Sequence, residues 1–146
     1  MSSSLRRIIL GLFGIAVVIG AAIQFVPTPV GPPNPVVIQE PTWDSPATRA
    51  VFFQACGDCH SNATNWPWYS RVAPVSWLIA RDVVEGRRRL NVSEWNSRQR
   101  GADEASEAIL EGEMPLPVYL IMHPEARLTD AERAALAAGL TASFAR

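Results

Sequence analysis

From Ile8 to Ile23, sixteen consecutive residues carry no polar side chain, and after Gln24 the run resumes with Phe25 and Val26. As a helix, residues 8–26 reach roughly 28 Å at about 1.5 Å per residue, close to the hydrocarbon thickness of a bilayer. Arg6 and Arg7 precede the run and the next basic residue is Arg49, so the charge asymmetry predicts residues 1–7 in the cytoplasm and the remainder exported. The run is longer than a usual signal-peptide core, which favours a retained transmembrane anchor, although Gly20 and Ala22 offer small residues for cleavage. Seven prolines follow between Pro27 and Pro46. Each removes a backbone donor and fixes φ, so residues 27–46 read as an extended spacer of up to about 60 Å. Packing of Val36, Val37, Ile38 and Trp43 onto the folded domain is the alternative.

Beyond Pro46 the periodicity becomes helical. Ser45 and Pro46 resemble an N-cap followed by proline at the first helical position, with Val51, Phe52 and Ala55 apolar at helical spacing. Residues 61–71 read as a loop. Trp77, Leu78, Val83 and Val84 predict a helix over 75–89, and a short helix is expected around Ser93 and Trp95. Another is expected over 103–111, stopped by Gly112, and a capping box of Thr129 and Glu132 opens the last. No period-2 run and no repeat is found. The expected fold class is all-α, with one folded domain over 47–146.

Composition narrows the function classes. Apolar residues form 48% of the chain against 18% charged, a globular balance. Without the first 26 residues, eleven arginines face fourteen acids, a net of −3, which argues against a nucleic-acid partner. All thirteen basic residues are arginine, so no lysine is available for Schiff-base chemistry. With two cysteines three residues apart, no disulfide framework is possible.

Those cysteines stand in Cys56-Gly57-Asp58-Cys59-His60, the attachment pattern of c-type haem. In a helical turn, positions i, i+3 and i+4 share one face, so both thiols and the imidazole meet the same object. Two thiols can add to the two vinyl groups of a porphyrin while His60 reaches the iron as proximal ligand. A thioredoxin-like dithiol would want a βαβ setting, a zinc site would want a fourth ligand beyond His123, the only other histidine, and a local structural disulfide between the two cysteines is the third alternative. Met114, in Gly112-Glu113-Met114-Pro115, follows a helix stop and is the candidate distal ligand; His123 is its rival. Met122 is a weaker candidate, because Leu120 and Ile121 beside it read as a buried apolar run. Trp66, Trp68, Tyr69 and Trp77 are expected to pack around the macrocycle. Arg71, Arg81 and Arg87 to Arg89 read as a solvated face, with haem propionates or an acidic partner as the alternative. The sequons at Asn62 and Asn91 carry no weight.

The run CGDCHSNATNWPWYSRVAPVSWLIARDVVEGRRRLNVSEW, followed by GEMPLPVYLIMHPEARLTDAER, resembles the haem-binding domain family of bacterial membrane-anchored c-type cytochromes over about residues 47–140. The Met-Pro step and the last helix are also similar to class I cytochromes c. The resemblance implies a small cytochrome c-like helical domain around one covalent haem c, held at the periplasmic face of the bacterial inner membrane by a single N-terminal helix. Cys56, Cys59 and His60 would be its attachment and proximal residues. The distal ligand stays open, since Met114 and His123 both fall inside family motifs. The expected function is single-electron transfer between unidentified periplasmic redox partners, without catalysis by the chain itself. A haem sensor or peroxidase-like protein with an open distal site is the alternative, and a structural or assembly subunit is a third.

Overall fold

A computed structural model describes residues 2–145. Among these every regular element is helical: α1 (Ser3–Ala22), α2 (Pro46–Ala55), α3 (Gly57–His60), α4 (Val75–Arg89), α5 (Ala105–Leu110) and α6 (Asp130–Phe144), with short 3-10 turns between them. The only β-type pairing among the described residues is an isolated bridge between Gln39 and Glu94. The all-α expectation holds.

The chain divides into two compact units. The first comprises the N-terminal segment through Gly31 together with Trp66–Arg81; the second comprises Pro32–Asn65 and the chain from Asp82 onward. Helix α4 gives its first seven residues to the first unit and the rest to the second.

In the first unit, α1 continues as a 3-10 turn over Ile23–Phe25, and the combined 23-residue stretch, whose most apolar 18-residue window has a mean hydropathy of 2.5, is long and apolar enough to cross a membrane. Its one polar side chain beyond Arg7, Gln24, is engaged. The Gln24 amide donates to Gly20 O at 2.9 Å and to Ala73 O at 3.2 Å, while its Oε1 accepts from Ala73 N at 2.9 Å.

The second unit is built on a crossing of α2 and α6. Both helices start at sequence-encoded caps: Ser45 accepts from Thr48 N with Pro46 in the first turn, and Thr129 and Glu132 form the reciprocal capping box. Gly139 makes the crossing possible, since a Cβ there would stand 2.3 Å from Thr48 Oγ1. Phe52, Leu136, Leu140 and Phe144 fill the core with Val92 and Ile109. Trp43 lies 5.3 Å from the Phe52 ring and Trp95 lies 4.6 Å from Phe144.

Three expectations change here. The proline-rich stretch is not a free spacer along its length. Asn34 donates to Thr64 O, Ile38 N and Gln39 N donate to Ser93 O, and Trp43 packs into the core. Val36, Val37 and Ile38 nonetheless stay exposed, so the segment is held by backbone pairing and by Trp43. The compact second unit runs from Pro32 and omits 66–81. The short helix expected near Ser93 is a turn instead, because residues 93–95 pair with 38–39. Finally, Ile121 and Met122 are not buried: they are 70% and 58% exposed. The run lies on a single 3-10 turn, Tyr119–Ile121, which is too short to turn every apolar side chain inward.

Candidate haem site

Helix α3 is one turn long, and its geometry is set by Cys59 N and His60 N both donating to Cys56 O, at 3.2 and 3.0 Å. That turn puts positions 56, 59 and 60 together, as their spacing requires. Helix α4 approaches it closely at Gly86, where a Cβ would lie 2.5 Å from Cys59 O. Any larger residue would push α4 off the Cys56–His60 turn.

Five further hydrogen bonds hold the turn. Asp58 Oδ2 accepts from the Tyr119 hydroxyl at 2.8 Å and its Oδ1 accepts from Asn65 N at 2.7 Å. Thr64 Oγ1 donates to Asp58 O at 2.6 Å. Arg87 donates through Nε to Ser61 O and through Nη2 to Thr64 Oγ1, both at 2.9 Å. Arg87 therefore braces the loop after the turn; it is not part of a solvated face. Burial and the Asp58 charge raise the Tyr119 pKa, so the phenol keeps the proton it donates.

Cys56, Cys59 and His60 line a cavity of about 380 Å³, within the usual range for a small-molecule or cofactor site. Phe52, Ile109 and Leu140 give it apolar walls, and Met114 and Tyr119 also line it. Its walls come wholly from the second unit. Burial pushes each thiol up to about 12, helped at Cys56 by Cys59 and at Cys59 by the charges of Asp58 and Asp82. Such thiols stay protonated at neutral pH, unlike the lowered thiols of redox-exchange motifs. His60 Nδ1 lies 3.0 Å from Leu90 O; a carbonyl can only accept, so Nδ1 carries the proton and Nε2 keeps its lone pair. Burial also holds the imidazole pKa below its ordinary value, favouring the neutral form a metal requires.

Met114 is positioned from two sides. Gly112 adopts φ +76° after α5, the left-handed conformation that lets the chain turn back, and Met114 N donates to Ala108 O at 3.1 Å. Arg133 of α6 donates to Ile109 O at 2.7 Å, tying the same helix end to α6. The rival His123 is not among the lining residues. Its ring stacks on Tyr119 at 4.1 Å and 9°, with Nδ1 3.0 Å from Glu125 Oε1. Met122 also lies outside the lining.

The aromatic cluster Trp66, Trp68, Tyr69 and Trp77 does not line the cavity, contrary to expectation. These side chains belong to the first unit, and Trp43 and Trp95 supply aromatic packing in the second. The roles of Asp58, Gly86 and Arg87 were not apparent in sequence. A glycine inside a helical pattern was the one signal available for Gly86.

The residues present fit a haem: two thiols and a lone-pair-bearing imidazole on one turn, a thioether on another wall, and apolar side chains between. Among the described residues no group of three or more His, Cys, Asp or Glu side chains is arranged to hold a bare metal ion. Comparison with protein families matches residues 18–142 to the haem-binding domain family. No curated protein and no solved structure matches the chain. With 18–142 covering most of its length, the chain belongs to the haem-binding domain family.

Proposed function

We propose that this protein is a membrane-anchored periplasmic c-type cytochrome that carries single electrons on one covalent haem. Cys56 and Cys59 form the thioethers, His60 is the proximal iron ligand and Met114 the distal one. The observation that carries this reading is the shared cavity of Cys56, Cys59, His60 and Met114, with the His60 Nδ1–H given to Leu90 O and Nε2 left for iron. His123 is the weaker candidate, because its ring is stacked on Tyr119 and lies outside the cavity lining. When bound, the haem supplies a one-electron couple, and a thioether opposite imidazole favours the reduced state. The chain's part is to hold the ring between fixed ligands and exclude water with Phe52, Ile109 and Leu140. Seven lining side chains are carboxylic acids and one, Arg89, is basic, which favours a redox partner presenting cationic groups.

Retention of α1 as the anchor is supported by its apolar run, which is longer than the core of a usual signal peptide. The two arginines ahead of the apolar run favour export of the chain beyond it. The test is to purify the full chain from membranes after expression with haem-maturation factors, and to record its spectra in both oxidation states with and without carbon monoxide. A six-coordinate low-spin haem indifferent to carbon monoxide is expected. A high-spin haem that binds carbon monoxide rapidly would overturn the carrier reading in favour of a sensor or peroxidase-like protein.

A further inference from the structure

The first unit contains a segment that the haem site does not use. Residues 66–81 hold three tryptophans, one tyrosine and two arginines, and no acid. All fourteen acidic residues of the chain lie in the second unit, where nine arginines leave a net charge of −5. The segment also turns apolar side chains outward: Trp68 is 77% exposed, and Val72, Val75 and Leu78 are each about 40% exposed. Val75 and Leu78 are three apart on α4 and share a face, whereas Ser76 and Ala80 are buried. An aromatic and aliphatic surface of this kind, with arginine and without carboxylate, has the chemistry of the bilayer interface.

Its attachment to α1 points to the same partner. Ala73 is buried, and both of its backbone polar groups are satisfied by the Gln24 side chain. Gln24 lies sixteen residues beyond Ile8, about 24 Å along a helix, so a span beginning near Ile8 brings it to within about 6 Å of the exported edge of a roughly 30 Å hydrocarbon core. A polar amide at that depth needs partners, and the 66–81 segment provides them. The segment is thereby fixed at the level where headgroups meet acyl chains.

We infer that residues 66–81 form a second membrane contact, lying in the lipid interface beside the exported end of α1. Trp68, Val72, Val75 and Leu78 enter the acyl boundary and Arg71 reaches lipid phosphate. This rests on the reading of α1 as a retained span. It assigns the exposed aromatic segment to lipid, and it makes the anchor a helix plus a docked segment.

The test uses the full haem-loaded chain in vesicles of phosphatidylcholine and phosphatidylglycerol at three to one. Val72→Cys, Val75→Cys, Ala16→Cys and Arg98→Cys are each labelled with a nitroxide, and wild-type protein treated identically serves as the blank. Collision with oxygen is compared with collision with a water-soluble nickel chelate. Labels at 72 and 75 are expected to favour oxygen several-fold relative to the label at 98, with 16 the most lipid-exposed. If 16 reports lipid while 72 and 75 match 98, the interfacial contact is wrong and the span stands. If 16 also reports water, or mass spectrometry shows the helix removed, the span fails and the inference falls with it.

Discussion

The second unit contains all fourteen acids and nine of the thirteen arginines, and its tryptophans, Trp43 and Trp95, pack against Phe52 and Phe144. The 66–81 segment of the first unit contains no acid, two arginines and four of the seven Trp and Tyr residues, with Trp68 largely exposed. Aromatic content is therefore no guide to where the cofactor sits. In one region the rings close a core beside an apolar cavity; in the other Trp68 stands outside while Trp66, Tyr69 and Trp77 are part-buried. What separates the two is the company the rings keep: buried aliphatics and charged rims in the second unit, and the Gln24 clamp at the end of an apolar helix in the first.

The largest effect is expected at the attachment turn. Replacing Cys56 and Cys59 together with alanine should abolish covalent haem, read as loss of haem staining after denaturing electrophoresis, while the same double treatment of Trp66 and Trp68 should leave the stain intact. Next comes a direct comparison of two tryptophans. Trp43→Ala should cost about 3 kcal/mol in denaturant unfolding, because it opens a hole among Phe52, Phe53 and Phe144. Trp68→Ala should change stability by less than about 0.5 kcal/mol. Equal costs would erase the distinction between the regions.

Gly139→Ala forces a Cβ to within 2.3 Å of Thr48 Oγ1 and should destabilise by about 1–3 kcal/mol. Pairing it with Thr48→Ala removes the two nearest atoms and should recover part of the loss, which a purely helical-propensity effect would not allow. In the first unit, Gln24→Ala removes both partners of the Ala73 backbone and should speed exchange of that amide by the equivalent of about 1 kcal/mol, with amides of α6 unchanged.

The smallest effect concerns pH. Arg49, with its guanidinium on both oxygens of Glu40, and Trp43, which donates to the same carboxylate, hold Glu40 below its usual value of 4.5. A depressed carboxylate stabilises the fold above its unfolded pKa and loses that contribution as pH falls through the folded one. Wild type should exceed Glu40→Gln by about 0.5 kcal/mol at pH 7, a modest figure because Arg49 is half exposed, and the gap should close below pH 4.5 as the carboxyl protonates. Unfolding curves at pH 7 and pH 3 measure it.

Local signals were legible in the chain. Ser45-Pro46, the Thr129 and Glu132 box and Gly112 each act within four residues, so sequence alone placed the ends of α2, α5 and α6. The attachment pentapeptide is equally local. Distant partners were not legible. Trp43 reaches the core across about a hundred residues to Phe144, Asp58 meets Tyr119 sixty-one residues on, and Gly86 matters only because α4 lies against Cys59 O. The same reason explains the misplaced aromatic cluster: adjacency to the attachment motif in sequence suggested adjacency in space, while the chain after Asn65 passes into the other unit.

The central claim is that one cavity holds a haem between His60 and Met114. Optical spectra of the full chain and of Met114→Ala and His123→Ala, recorded in the oxidised state, test it most directly. The expected result is a weak far-red thioether band that disappears in Met114→Ala and persists in His123→Ala. A band absent from the wild type, or a low-spin spectrum lost only in His123→Ala, would contradict it.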